Sequence, residues 1–468
     1  MRRMKAVLCG VLAAVLLAGC GGQGSAGGDE LPAKSIDLTP YTVVQALYPV
    51  YPAQPNDEDF IKLNGEWDDE GYMAAWDAYE EGLKAIGKWQ RIDVDTEPVT
   101  AFAQRTAAQV FAEGNNTVYS PVSLYVALAM LTELTAGDSR QQVMDLLGAS
   151  DSDALRQHIH DLWLSLYCDD GSTTSIIGNA AFLNDSLDYK QEGLDVLADS
   201  YYAGLYRVPM GTAEADEAVQ SWINQQTGNF LKEAAGDVVT DVETLLMLVN
   251  TLYYKAAWAD EFSKSATRED VFTTADGVEQ TVDFMHRTES YDRYLRGDDF
   301  TAASLSLRGG DRMVFVLPDE GVAPESLLQR EGFLAAMTEQ GEVTRDDIAR
   351  SGMAEIVWSV PKFDASSTTA LKDVLQSLGV ADVFDADKAD LSPLTDMEAA
   401  VTKVSQSARV KVDEQGVEAA AFTVIAADTA MLEPEDVTTI EMDMDRPFLF
   451  LIVNDGAPTF IGTVNTVL

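Results

Sequence analysis

The sequence predicts an α+β fold, on three observations. The sixteen residues Glu414 to Thr429, EQGVEAAAFTVIAADT, alternate as a strand does. Val417, Ala419, Ala421, Thr423, Ile425, Ala427 and Thr429 share one small or apolar face, and Glu418, Phe422 and Asp428 lie on the other. Leu248 to Trp258 is a second β-rich run, and helical spacing joins Leu124, Ala127, Leu128 and Leu131 just after Ser120 and Pro121, a serine N-cap with proline at the first helical position. The remaining elements follow in chain order. Trp76, Tyr79, Leu83 and Ile86 predict a helix within Gly71 to Lys88, and Val99 to Glu113 predicts another, ended by Gly114. Met313 to Glu320 reads as a buried strand closed by a proline turn. Leu371, Val374, Leu375 and Leu378 sit at helical spacing with Gly379 as the C-terminal cap. Met431 to Glu435, with Pro434 and several acids, reads as an exposed loop before the apolar run from Phe448. A segment patterned for a sheet interior, yet joined to a long solvated loop, is suited to moving into a sheet.

With 468 residues and 46% hydrophobic content the chain can bury a large core, as one big domain or as two or three ordinary ones. Arg2, Arg3 and Lys5, the short apolar run Ala6 to Leu17 and then Leu17-Ala18-Gly19-Cys20 read as a secretory leader resembling the bacterial lipoprotein processing box. The expected organisation is a signal peptide over 1–19, a flexible Gly/Ser tether over 20–35, an acidic aromatic extension over 36–95 and the main domain over 96–468. Cleavage before Cys20 makes that residue a lipid-modified N-terminus, which implies an exported cell-envelope lipoprotein facing outward. The extension is either a stalk folding back on the body or a separate contact surface. Cys9 leaves with the leader and Cys20 is lipidated, so only Cys168 remains, and one thiol neither staples a domain nor makes a zinc site. There are 77 acids against 32 bases, and loss of Arg2, Arg3 and Lys5 with the leader takes the formal charge from −45 to −48. A field of that sign disfavours nucleic acid and anionic membrane surfaces as partners.

Glu414, Gly416, Val417, Glu418, Ala419, Ala420 and Ala421, after a Val410 to Asp413 strand, resemble the hinge E-x-G-x-x-A-A-A that opens the reactive-centre loop of the serpins. Small residues have a physical reason there: a strand that slips between two others must not clash with them or break the ladder. Other segments are similar to serpin motifs in the same order. They are Ser120-Pro121-Val122-Ser123, Leu248 to Trp258, Thr267 to Phe272, Gly277 to Met285, Pro361-Lys362-Phe363, Asp390-Leu391-Ser392, Asp445 to Phe450 and Phe460 to Asn465. Ala218 to Leu231 fits the helix that covers the main sheet. The resemblance runs from about Thr96 to the end, roughly four-fifths of the chain. It implies a serpin fold, with three β-sheets, about eight or nine helices and an exposed reactive-centre loop at about 414–445.

The resemblance also implies a function: suicide inhibition of serine proteases by loop insertion, with a covalent acyl complex to the target protease. Inhibitory members keep about seventeen residues from the hinge glutamate to the residue before the cut. That places the reactive bond at Ala430-Met431, to within a residue or two. A small Ala430 suits an elastase-like or subtilisin-like pocket. Ser120, Ser123, Asn250 and Gln406 correspond to the cluster beneath the point where the main sheet parts, with the two serines hydrogen-bonding across it, and Trp258 to the top, where the loop first enters. Gln406 stands where most members carry histidine and Val417 where they carry Thr or Ser. Glutamine still donates and accepts, without titrating near neutral pH. Phe422 replaces a small residue on the outward face.

Two other classes stay open beside the inhibitor: a non-inhibitory serpin that acts as a binding protein, and a cross-class inhibitor of cysteine proteases. No enzyme is expected, because His158, His160 and His286 sit in no catalytic motif. No metal or other cofactor is expected either; His158 and His160 lack a nearby third ligand. The segment Ser152 to Tyr167, where some members bind sulfated polysaccharides, holds only Arg156, so no polyanion cofactor is expected. A monomer is expected.

Overall fold

The computed structural model describes residues 36–52, 55, 60, 67–87, 92–111, 114–339, 348–417 and 438–467. The β-rich run becomes strand Leu246–Ala257 at the middle of an eight-stranded sheet. From one edge to the other the order is Thr42–Val44, Ala203–Val208, Thr173–Asn184, Leu246–Ala257, Gly416–Val417, Ser405–Asp413 and Phe363–Ala370, with Cys168–Asp169 paired beside Thr173–Asn184. Strand Thr173–Asn184 is almost continuously buried, as a strand covered on both faces must be.

Two apolar clusters supply those covers. On the inner face, Leu252, Tyr254, Ala256, Val410 and Val412 join the main core with helix Pro121–Glu133. That helix starts where Ser120 Oγ accepts the Ser123 N–H at 3.2 Å, and it is buried nearly all round, so it lies inside the molecule rather than on it. On the outer face, Trp222 and Val219 of helix Ala213–Gln226 pack against Ala180, Phe182, Met247 and Val249. This helix is capped by Thr212, which accepts the Ala215 N–H.

A nine-stranded path runs Thr439–Asp443, Ile348–Pro361, Glu279–Gly297, Phe300–Ser306, Arg312–Pro318, Phe448–Asn454, Ala457–Val464 and Thr117–Tyr119, with Arg268–Thr273 paired to Glu279–Gly297. Its two longest strands, Glu279–Gly297 and Ile348–Pro361, pair along most of their length, with irregular register between Ile348 and Arg350 and between Ala354 and Ile356. Among the described residues seven α-helices have ten residues or more, and four are shorter. The predicted helix around Trp76 is Asp69–Ala85, and the one from Val99 is Glu97–Val110.

The stretch before the main domain lies partly on the body. Thr42–Val44 adds an edge strand to the eight-stranded sheet, paired antiparallel to Ala203–Val208. The Ile36 N–H donates to Ser221 Oγ at 3.1 Å, and Leu38 enters the outer-face cluster. Tyr48 stacks on Trp163 and Tyr167 with ring centroids 5.9 and 5.5 Å away. Tyr51 Oη donates to the Tyr167 carbonyl at 3.1 Å, and Tyr79 Oη to Asp170 Oδ2 at 3.1 Å. The sequence offered two alternatives for this stretch, and residues 36–52 follow the one that folds back. Removing the Tyr48 ring leaves a hole between two aromatic neighbours, so Tyr48→Ala is expected to cost about 2–4 kcal/mol of unfolding free energy in a urea titration.

Candidate functional site

The site is the turn Asp413–Val417 together with the cleft below it. Strand Ser405–Asp413 reverses at Glu414 and Gln415, and Gly416–Val417 returns between it and Leu246–Ala257. Gly416 faces Ala257 and Asp413, and Val417 faces Ala256 and Val412. Gly416 is required by close approach: a Cβ there would lie 2.3 Å from the Ala256 carbonyl oxygen and 2.7 Å from Ala257 Cα. Val417 is 2% exposed, with its side chain on the inner face.

Trp258 holds this turn from one side. Its indole Nε1–H donates to the Asp413 carbonyl at 2.9 Å and its backbone N–H to the Gln415 carbonyl at 2.9 Å. The Phe262 N–H donates to the Glu414 carbonyl at 3.0 Å, and the Phe262 ring meets Trp258 edge to face. The Glu414 side chain is buried at 7% exposure and is held from the other side. Thr267 Oγ1 donates to its Oε1 at 3.0 Å, and Lys362 Nζ stands 3.3 Å from its Oε2. Burial raises the Glu414 pKa, but its hydrogen bonds to backbone, Thr267 and Lys362, with the Lys362 charge, outweigh burial and leave it lowered.

Below Val417, away from the turn, no described strand lies between Leu246–Ala257 and Ser405–Asp413. A cavity of 290 Å³ occupies this place, lined among others by Ser123, Leu128, Leu248, Asn250, Val404 and Gln406. On one bank Gln406 grips the start of helix Pro121–Glu133. Its Oε1 accepts the Ser120 N–H at 2.8 Å and its Nε2–H donates to the Ser120 carbonyl at 2.9 Å. On the other bank Asn250 Nδ2–H donates to Asn179 Oδ1 at 2.5 Å, and Asn179 Nδ2–H donates to the Tyr201 carbonyl at 2.7 Å. Asn250 Oδ1 is buried and has no hydrogen-bond partner among the described residues.

The structure therefore brings Ser120 and Gln406 together and sets Asn250 across the cleft. Ser120 Oγ accepts the Ser123 N–H in capping their own helix, and Ser120 meets Gln406 through its backbone. Trp258, Glu414, Gly416 and Val417 gather at the turn. Glu418, Ala419, Ala420, Ala421, Ala430, Met431 and Cys20 lie outside the described residues. Sequence reasoning missed Asn179, which is fully buried; a lone amide inside the apolar run Ile176 to Leu183 was its available signal. Thr267 and Lys362 carry no local signal of their shared role, which is to hold Glu414.

The histidines sit apart from this site. His160 bonds Tyr202 Oη through Nδ1 at 2.8 Å, and His158 packs edge to face on Tyr125, its pKa lowered by burial against the opposing charges of Asp95 and Asp161. Cys168 is a buried thiol just after helix Ser152–Leu166. Arg156 in that helix is committed to Glu133, with Nε and Nη2 at 3.0 and 2.8 Å from its two oxygens.

Comparison with known proteins gives one consistent result. Residues 97–467 match the family model described as Serpin (serine protease inhibitor). Serpin-Z1C of Triticum aestivum is 31% identical over 386 residues, covering 78% of this chain and 94% of that protein. Hibernation-specific plasma protein HP-55 of Tamias sibiricus is 30% identical over 374 residues, covering 76% and 85%. Among solved structures, the thermophilic serpin tengpin in its native state superposes with a TM-score of 0.69 at 22% identity, over 81% of this chain and 96% of that one.

Because the Glu414 pKa is lowered, its ionised form contributes stability that is full above the ordinary value of 4.5 and is lost as the pH falls through the lowered one. Glu414→Gln is expected to be less stable than the parent by about 1–3 kcal/mol at pH 7. Denaturant titrations at descending pH are expected to show that difference closing in the acid range.

Proposed function

This chain belongs to the serpin family, whose members are mostly protease inhibitors, and from that premise we propose that it is a surface-tethered suicide inhibitor of serine proteases. One observation carries the proposal: Gly416–Val417 already pairs on both sides at the top of a cleft that is one strand wide. Continuing that register carries Ala419 between Tyr254 and Val410, Ala421 between Leu252 and Ala408, and Thr423 between Asn250 and Gln406. The inner face then receives small side chains where space is short, and a hydroxyl where Asn250 Oδ1 lacks a partner. Phe422 falls on the outer face in the same register.

In this mechanism the serine Oγ of the protease attacks the Ala430 carbonyl. The bond to the Met431 nitrogen breaks, that amine leaves with a proton, and an acyl-enzyme forms. The freed segment inserts as a full strand, gaining ladder hydrogen bonds on both edges and filling the cleft, and it drags the acylated protease with it. The inhibitor supplies no nucleophile. A small Ala430 directs the proposal to elastase-like or subtilisin-like targets, and Cys20 with its Gly/Ser tether to an outward-facing lipid anchor.

Mixing the protein with an elastase-like and a subtilisin-like protease is expected to give a covalent complex that survives SDS. Clean loop cleavage with full protease activity retained would sink the proposal and favour a non-inhibitory binding role. Val417→Arg forces a guanidinium into the slot between Ala256 and Val412. Complex yield on the same gel is expected to fall by at least about tenfold, with the loop still cut.

A further inference from the structure

A side-chain bridge crosses the cleft on the outer face, directly below the turn. Between helix Ala213–Gln226 and the short helix Lys232–Gly236 the chain turns through Gly228 and Asn229, both left-handed at φ +55° and +66°. The turn is fastened by the Asn229 N–H to the Asn224 carbonyl and the Phe230 N–H to the Thr227 carbonyl, each 2.8 Å. It presents Phe230 to both banks. On the Leu246–Ala257 bank the Phe230 ring lies 6.0 Å from that of Tyr253, at 57°. On the Ser405–Asp413 bank the Arg409 guanidinium carbon lies 4.7 Å from the centroid of the same ring, and Nη1–H donates to the Phe230 carbonyl at 3.1 Å. Asp364 fixes that guanidinium with a paired contact, Nε to Oδ1 at 2.7 Å and Nη2 to Oδ2 at 2.6 Å.

Tyr253 and Arg409 stand at one level of the sheet. Val417 pairs with Ala256 and Val412, and each bridge residue lies three positions further down its own strand. Both point to the outer face, because the inner one holds Tyr254, Ala408 and Val410. An inserting strand must part the two banks at this level.

We propose that Phe230 is a latch across the cleft, with Arg409 and Asp364 as positioning residues that set the rate of strand insertion. The latch rests on the insertion reading above and adds its control. The cation over the ring and the bond to the Phe230 carbonyl hold the banks at one spacing, and both contacts must stretch or break before a strand passes. Val417 needs no release, since it sits above the bridge.

The test uses the full chain and a fluorescent peptide with the sequence of residues 417–427, and follows uptake on native gels. Phe230→Ala and Arg409→Ala are expected to take up peptide roughly three- to thirtyfold faster than the parent, while Arg409→Lys, which keeps a cation over the ring, stays within about threefold. Asp364→Asn loosens the guanidinium from a part-exposed position while keeping both Phe230 and Arg409 in the chain, and is expected to accelerate uptake if either alanine variant fails to fold. Uptake in all cooperatively folded variants within about twofold of the parent overturns the latch. A parent that takes up peptide but forms no SDS-stable protease complex overturns the inhibitor reading and leaves the latch standing. A parent that takes up no peptide and gains no thermal stability after loop cleavage overturns both.

Discussion

The two residues Gly416 and Val417 keep the central strands of the large sheet at the distance of one missing neighbour. A sheet closed at every ladder would have Leu246–Ala257 and Ser405–Asp413 bonded to each other; among the described residues they share a partner at the top alone. The rest of the site depends on that wedge. Trp258 accommodates the backbone that forms it, Lys362 and Thr267 hold the glutamate that begins it, and the glycine lets it lie against Ala256 without a Cβ in the way.

The polar groups beneath the wedge are arranged to survive a change of spacing. Each bank bonds within itself: Gln406 with the Ser120 backbone, Asn250 Nδ2 with Asn179. A direct Asn250 to Gln406 bond would tie the banks together and oppose any entering strand. Leaving Asn250 Oδ1 unpartnered costs on the order of 1–3 kcal/mol in the resting state. A polar side chain arriving between the banks recovers that cost. The outer face does the reverse, since Phe230, Tyr253 and Arg409 join the banks by contacts that are individually weak and reversible.

The far edge of the same sheet is closed by different means. Thr42–Val44 pairs with the edge strand, and Tyr48 and Tyr51 lean on the helix that ends in Trp163 and Leu166. Thr42–Val44 is then the edge itself, and a strand of three residues offers little ladder to another chain.

Local pattern made much of this legible. Alternation marked Val417 as inward-facing, the Ser120-Pro121 start marked the helix under the sheet, and Glu414 and Gly416 marked the turn, because each of these is decided by periodicity, capping chemistry or close approach within a few residues. Partner choice was not legible. Asn179 with Asn250, Lys362 with Glu414, Phe230 with Arg409 and Tyr48 with Trp163 join residues 52 to 179 positions apart or, for the aromatic pair, two parts of the chain with no shared period. Those pairings exist only once the strand order places the two banks side by side. The sequence by itself determined which segment carries the small-residue alternation of a strand. Tertiary structure alone decided where it first pairs, at Gly416–Val417, and what joins the banks below that point, because strand order and spacing are properties of the packed chain and not of any window within it.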